Sequence, residues 1–223
     1  MKTDLMIQQD VMDELSWEPL LRASEIGVAV KSGIVTLSGT VDAYNKKVTA
    51  EKAAGRVAGV KAVALDIEVK IGVSNNKNDS EIAAEVVNAL KWHTAMQQDK
   101  VKVKVENGYV TLEGEVEWDF QRSSAVYMVE NLKGVTGISN KIVVKPTVSL
   151  ADVKKKITAA FHRHANIDSQ KVHIETEGSK VILSGTVRSY AEKKDAENAA
   201  WLAPGVSKVE NQLEIDTEVY TYY

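Results

Sequence analysis

The feature that most constrains this chain is that it repeats itself. With Gly39, Gly114 and Gly185 aligned, at offsets of 75 and then 71 residues, three segments superpose without a gap. The runs around those glycines read TLSGTV, TLEGEV and ILSGTV, and a helix-length later AGV, KGV and PGV align at Gly59, Gly134 and Gly205. Such self-similarity marks one folding unit written several times.

Each copy carries the same sequence of periodicities. Ile7, Val11 and Leu15 align with Ile82, Val86 and Leu90, then with Val153, Ile157 and Phe161. This four-residue spacing draws one apolar stripe on a helix. Asn78 with Glu81, and Ser149 with Asp152, have capping-box spacing at the start of that helix. Strict alternation follows: Ile26, Val28, Val30, then Val101, Val103, Val105, then Val172, Ile174, Thr176. A second alternating run carries the aligned glycine, as Val35, Leu37, Gly39, Val41 and its counterparts. Between the runs lie Ser32-Gly33, Asn107-Gly108 and Gly178-Ser179. Asn-Gly suits a two-residue type I′ turn and Gly-Ser a type II′ turn. That turn sets Val30 opposite Val35, Val28 opposite Leu37 and Ile26 opposite Gly39, the register the alternation also requires.

A second helix is predicted from Ala50, Ala53, Ala54, Val57, repeated as Ala125, Met128, Val129, Leu132 and Ala196, Ala199, Ala200, Ala203. Its small residues let it lie close to the sheet, where the strand glycine leaves extra room. Gly59, Gly134 and Gly205 stand where a left-handed helix C-cap is expected. A third strand closes the unit. The fold class is therefore α+β: three tandem α-β-β-α-β modules, each a three-stranded sheet covered on one face by two helices. The boundaries fall at 1–73, 77–146 and 148–217, with a tail over 218–223 that includes Tyr220 to Tyr223. Short polar joins imply a compact array.

Composition excludes several functions. Lys plus Arg total 28 against 31 acids, a net charge of −3, which does not favour a nucleic-acid partner. There is no cysteine, hence no disulfide, thiolate metal site or cysteine nucleophile. Asp4, Asp10 and Asp13 interrupt any apolar run near residue 1. Taken as the true start, this predicts a cytoplasmic protein; periplasmic export requires a leader ahead of it.

Gly in the second strand, a helix ending in -GV-x-x-V/I, and a last strand V/I-x-N-x-L/I resemble the BON domain family. Ile138-Ser139-Asn140-Lys141-Ile142 and Val209-Glu210-Asn211-Gln212-Leu213 carry the last motif, while the first copy has Leu65 in place of Asn. The resemblance implies a bacterial envelope, osmotic-stress or transport-associated protein that binds phospholipid surfaces. A related cytoplasmic protein joins one such domain to a LysM domain and binds potassium.

The residues themselves show no nucleophile elbow, phosphate loop or dinucleotide fingerprint. A non-enzymatic binding or scaffold protein without cofactor is expected. His93, His162, His164 and His173 lack metal-ligand spacing and read as solvated positions. Aromatics recur just after the second strand, at Tyr44, Trp118 with Phe120, and Tyr190, beside Lys47, Arg122 and Lys193. Such a mixture suits an apolar–polar boundary, either a phospholipid membrane surface or an envelope protein; the alternative is that the rings staple the helix start to the core. Trp17 and Trp92 also align, at the end of the first helix. A potassium sensor is a second expectation. It would use carbonyls exposed by Gly59, Gly134 and Gly205 together with the amide oxygens of Asn140 and Asn211. A homo-oligomer built through an edge strand is a third.

Overall fold

The computed structural model describes residues 2–72, 77–92, 100–146, 153–163 and 171–216. In the first module α1 (Asp4–Ser16) leads through a 3-10 turn to the hairpin β1 (Ile26–Lys31) and β2 (Ile34–Val41), then α2 (Tyr44–Arg56) and β3 (Ala62–Val69). The second contains α3 (Asp79–Trp92), β4 (Val101–Glu106), β5 (Tyr109–Val116), α4 (Asp119–Glu130) and β6 (Gly137–Val144). The third contains α5 (Val153–Arg163), β7 (Val172–Glu177), β8 (Lys180–Val187) and α6 (Tyr190–Trp201). Its last strand is broken into β9 (Lys208–Asn211) and β10 (Glu214–Ile215), both parallel to β8.

The glycine-bearing strand is the middle one in every sheet. It runs antiparallel to its hairpin partner and parallel to the strand that follows the second helix. The hairpin pairs as its turn chemistry requires: Val30 with Val35, Val28 with Leu37, Ile26 with Gly39. Ser32 and Gly33, like Asn107 and Gly108, both have positive φ, the type I′ pattern, whereas in the third copy only Gly178 does, the type II′ pattern. Lys102 stands opposite Glu113, but the Glu113 carboxylate pairs with Lys141 on the other neighbouring strand, 3.2 Å away.

Three separate interiors result. Ile7, Val11, Leu15, Val35, Leu37, Ala50, Ala53, Ala54 and Ile67 close the first. The equivalent residues close the second and third, with Ile157 and Phe161 from α5 sealing the last. Each fully buried Val, Leu or Ile contributes about 1.5–3 kcal/mol through apolar burial, so each module holds itself together.

The role of the strand glycine differs from the one expected. The crowding does not come from the helix. A Cβ on Gly39, Gly114 or Gly185 would lie 2.1, 2.0 or 2.1 Å from the carbonyl oxygen of Glu25, Lys100 or Lys171, immediately before the hairpin. These glycines also have φ of 136°, 149° and 111°. Backbone meets backbone there, and only glycine has the room and the dihedral freedom.

The expected capping box at α3 is present. The Asn78 Oδ1 accepts from the Glu81 N–H and the Asn78 N–H donates to the Glu81 carboxylate, both at 2.9 Å. Its counterpart at Ser149 and Asp152 lies outside the described residues, as do His93, His164 and the tail; the side chains of Trp92 and His162 are likewise not described.

Candidate functional site

The surface predicted from sequence divides in two. Lys47, Arg122 and Lys193 occupy one repeat position, and all three are engaged within the chain. The Lys47 ammonium donates to the Ile67 carbonyl at 2.7 Å, and Lys193 donates to the Leu213 carbonyl, the equivalent atom, at 2.5 Å. Each ties the second helix to the last strand. Arg122 instead pairs with Asp119 and lays its guanidinium 4.2 Å from the centre of the Trp201 ring.

The aromatics divide similarly. Tyr44, half-buried, packs against the core of the second module, where its hydroxyl faces the backbone of Ile138. Burial and then the nearby Glu130 raise its phenol above the ordinary 10.0. Tyr190 lies against Gly55 of the first module, its Cδ1 3.0 Å from where a Cβ would stand. Trp118 and Phe120 face outward, 38% and 45% exposed, with ring centroids 6.5 Å apart and a 38° tilt between planes. Trp118 is the N-cap of α4, and the Gln121 side-chain oxygen accepts from the N–H groups of both Glu117 and Trp118 at 3.0 Å. The helix start is thus held by Gln121, leaving the indole outside the core.

Further apolar exposure, Trp17 apart, goes beyond the positions singled out in the sequence. On and just after α1, Leu5, Met6, Met12, Trp17 and Leu20 are exposed, Trp17 at 86%. Ile7, Val11 and Leu15 already account for the buried stripe, so the surplus Leu5, Met6 and Met12 were the available signal.

The cation candidates lie in turns and on the third strands. Gly59, Gly134 and Gly205 have φ of 96°, 90° and 86°. The helix C-caps, however, are Val57, Asn131 and Leu202, so the glycines sit in the turn beyond them. In the first and third copies the turn closes through Val60 N–H to Val57 O (3.2 Å) and Val206 N–H to Ala203 O (3.3 Å). Helix end and glycine are separate because the chain must turn again before entering the third strand. Asn140 Oδ1 accepts from the Ile142 N–H at 3.0 Å, and Asn211 Oδ1 from the Leu213 N–H at 3.2 Å. Both amide oxygens serve their own strand. His173 is exposed on β7, and no group of three or more His, Cys, Asp or Glu among the described residues is placed to hold a metal. Among the same residues, no helix is long and apolar enough to cross a membrane.

Fold and site together define a tandem-repeat protein of three self-contained α-β-β-α-β modules. Its sequence matches the BON domain at residues 3–71, 78–146 and 149–217, and the chain belongs to that family. It is 30% identical over 205 residues to osmotically-inducible protein Y of Escherichia coli (strain K12), covering 86% of this chain and 96% of that protein. It is also 27% identical over 125 residues to an uncharacterized protein in the gshII 5′ region of Anaplasma centrale, covering 55% of this chain and 83% of that one. Among solved structures, CdsD, a structural protein of the type III secretion system of Chlamydia trachomatis, aligns over 95% of this chain and 91% of its own. The identity is 15% and the TM-score 0.26.

Proposed function

We propose that this chain is a non-catalytic binding protein of an osmotic or envelope-stress response, and that it engages phospholipid surfaces through Trp118 and Phe120. The outward-facing pair carries the reading: two adjacent large rings, held at a helix start, with no core to fill. Amphipathic aromatic rings favour the headgroup boundary of a bilayer. The similarity to an osmotically inducible protein supports the physiological setting.

The net charge of −3 makes ring insertion, rather than electrostatic attraction, the main driving force. Vesicle binding should therefore weaken little as salt is raised. Sedimentation with phosphatidylglycerol-containing vesicles tests the reading. The wild-type chain should pellet, and the Trp118→Ala, Phe120→Ala double variant should stay in the supernatant. If the double variant pellets like wild type while Trp17→Ala does not, the binding surface is α1 instead. If the wild type itself stays in solution, the lipid reading fails.

A further inference from the structure

We propose that the second helices of the three modules form a closed head-to-tail ring, in which the start of each docks on the end of the next. Tyr44, Arg122 and Tyr190 then belong to an interface whose partner is the next module of the same chain. This is independent of the lipid reading above.

The repeat offsets make Tyr44, Asp119 and Tyr190 one position in the first helical turn, and Lys47, Arg122 and Lys193 another. They make Gly55, Glu130 and Trp201 one position in the last turn. Three contacts join these sets. From module one to module two, Tyr44 packs on the neighbouring core beside Glu130, the Asn45 Nδ2 donates to the Asn131 Oδ1 at 3.4 Å, and Lys52 lies 3.8 Å from Glu130. From module two to module three, Arg122 stacks on Trp201, a ring packed against the cores of both modules. From module three to module one, Tyr190 covers Gly55, which is buried.

At every corner the first turn of one helix meets the last-turn position of the following module's helix. A single heterologous contact used three times, returning to its origin, is a ring with threefold pseudosymmetry. The third corner is the informative one, because no short join holds module three against module one. Opposed helix ends also place the positive end of one backbone dipole against the negative end of the next.

The corners share a geometry but differ in their residues, and the differences set the order. The largest last-turn side chain, Trp201, faces the module whose first position is the small Asp119. The smallest, Gly55, faces Tyr190. In the reverse cyclic order, Tyr44 would meet Trp201 and Tyr190 would meet Glu130, replacing a matched fit with crowding at one corner. Each ring-closing surface therefore recognises one particular module.

Cross-linking in the full chain tests this, since the protein has no cysteine of its own. Gly55→Cys with Tyr190→Cys, treated with a short bismaleimide at low protein concentration, should give an internally linked monomer by gel and intact mass. Its yield should exceed that of Gly55→Cys with Glu175→Cys, on the outward sheet face of module three, by roughly tenfold or more, as effective concentration dictates. Equal yields from the two pairs, or links only between chains, would overturn the ring. Independently, Gly55→Trp should expel Tyr190 and open this corner. Small-angle scattering should then give a radius of gyration clearly above the roughly 17 Å of one compact body of this length. An unchanged radius in a Gly55→Trp chain that keeps its circular dichroism would also overturn it. If that variant does not fold, the cross-linking result decides alone.

Discussion

The Asp79 carboxylate accepts the backbone N–H of Gly108 at 2.8 Å, binding the first residue of a helix to a hairpin turn 29 positions later. Its other oxygen accepts the Asn107 N–H at 2.9 Å, so both turn amides are held by one side chain. Asp4 does the same for Ser32 and Gly33, at 2.8 and 3.0 Å. The third copy has Leu150 at the equivalent position, and there the turn places Gly178 first. In the two clamped copies a non-glycine residue takes positive φ, 54° at Ser32 and 51° at Asn107, beneath a carboxylate that satisfies its amide.

Removing that clamp should weaken the module it serves. Asp79→Ala leaves two turn amides without their charged acceptor, at a cost of about 1–3 kcal/mol. Urea unfolding of the full chain should show the second module's transition move to lower denaturant. An unmoved transition would mean that water replaces the carboxylate at no cost.

Gly114→Ala should be more damaging. The added methyl meets the Lys100 carbonyl and the residue must hold a φ of 149°, so about 3 kcal/mol or more is expected from strain and displaced backbone. Proteolysis confined to residues 77–146 would mark the module that opens. A melting profile like that of wild type would contradict the close approach.

Lys47→Gln and Lys193→Gln separate structure from binding. Each loses a charged bond to a third-strand carbonyl and should cost about 1–2 kcal/mol. Vesicle sedimentation should not change. Lost vesicle binding at undiminished stability would assign these lysines to a ligand instead.

Glu130 gives the chain a pH-dependent corner. Burial is the main cause that lifts its carboxyl above the ordinary 4.5; Lys52 lowers it and Glu51 raises it further. The unfolded chain releases this proton near 4.5, the folded chain only at higher pH. Between the two, the folded state binds more proton, so stability falls as pH rises through that window and the penalty is complete above it. Glu130→Gln should thus raise stability near neutral pH, by no more than about 1 kcal/mol after solvent screening. The gain should vanish below the unfolded value. Thermal melts at both pH extremes decide it; a gain that persists in acid would point to packing rather than charge.

The hairpins were legible in the sequence because turn chemistry and alternation, two independent signals, demand one register. Val28 against Leu37 follows from either. The buried stripes of α1 and α3 were legible because a side chain's direction along a helix repeats every few residues. The position of the third strand was not, since both edges of the hairpin offer equivalent hydrogen-bonding groups. The candidate site was half legible: the positions recur visibly, but Tyr190 and Trp118 look alike in sequence. One meets Gly55 and the other meets solvent.

Local periodicity and turn preference act within a few residues, so the chain's own order of amino acids determined that three modules form and where each core lies. Contacts between modules join surfaces whose members are far apart along the chain, and the repeat marks their positions without marking which partner each one meets. Which lysine is tied to a carbonyl was decided when each module closed, and which ring is covered and which aromatic pair remains outside only when the folded modules came together.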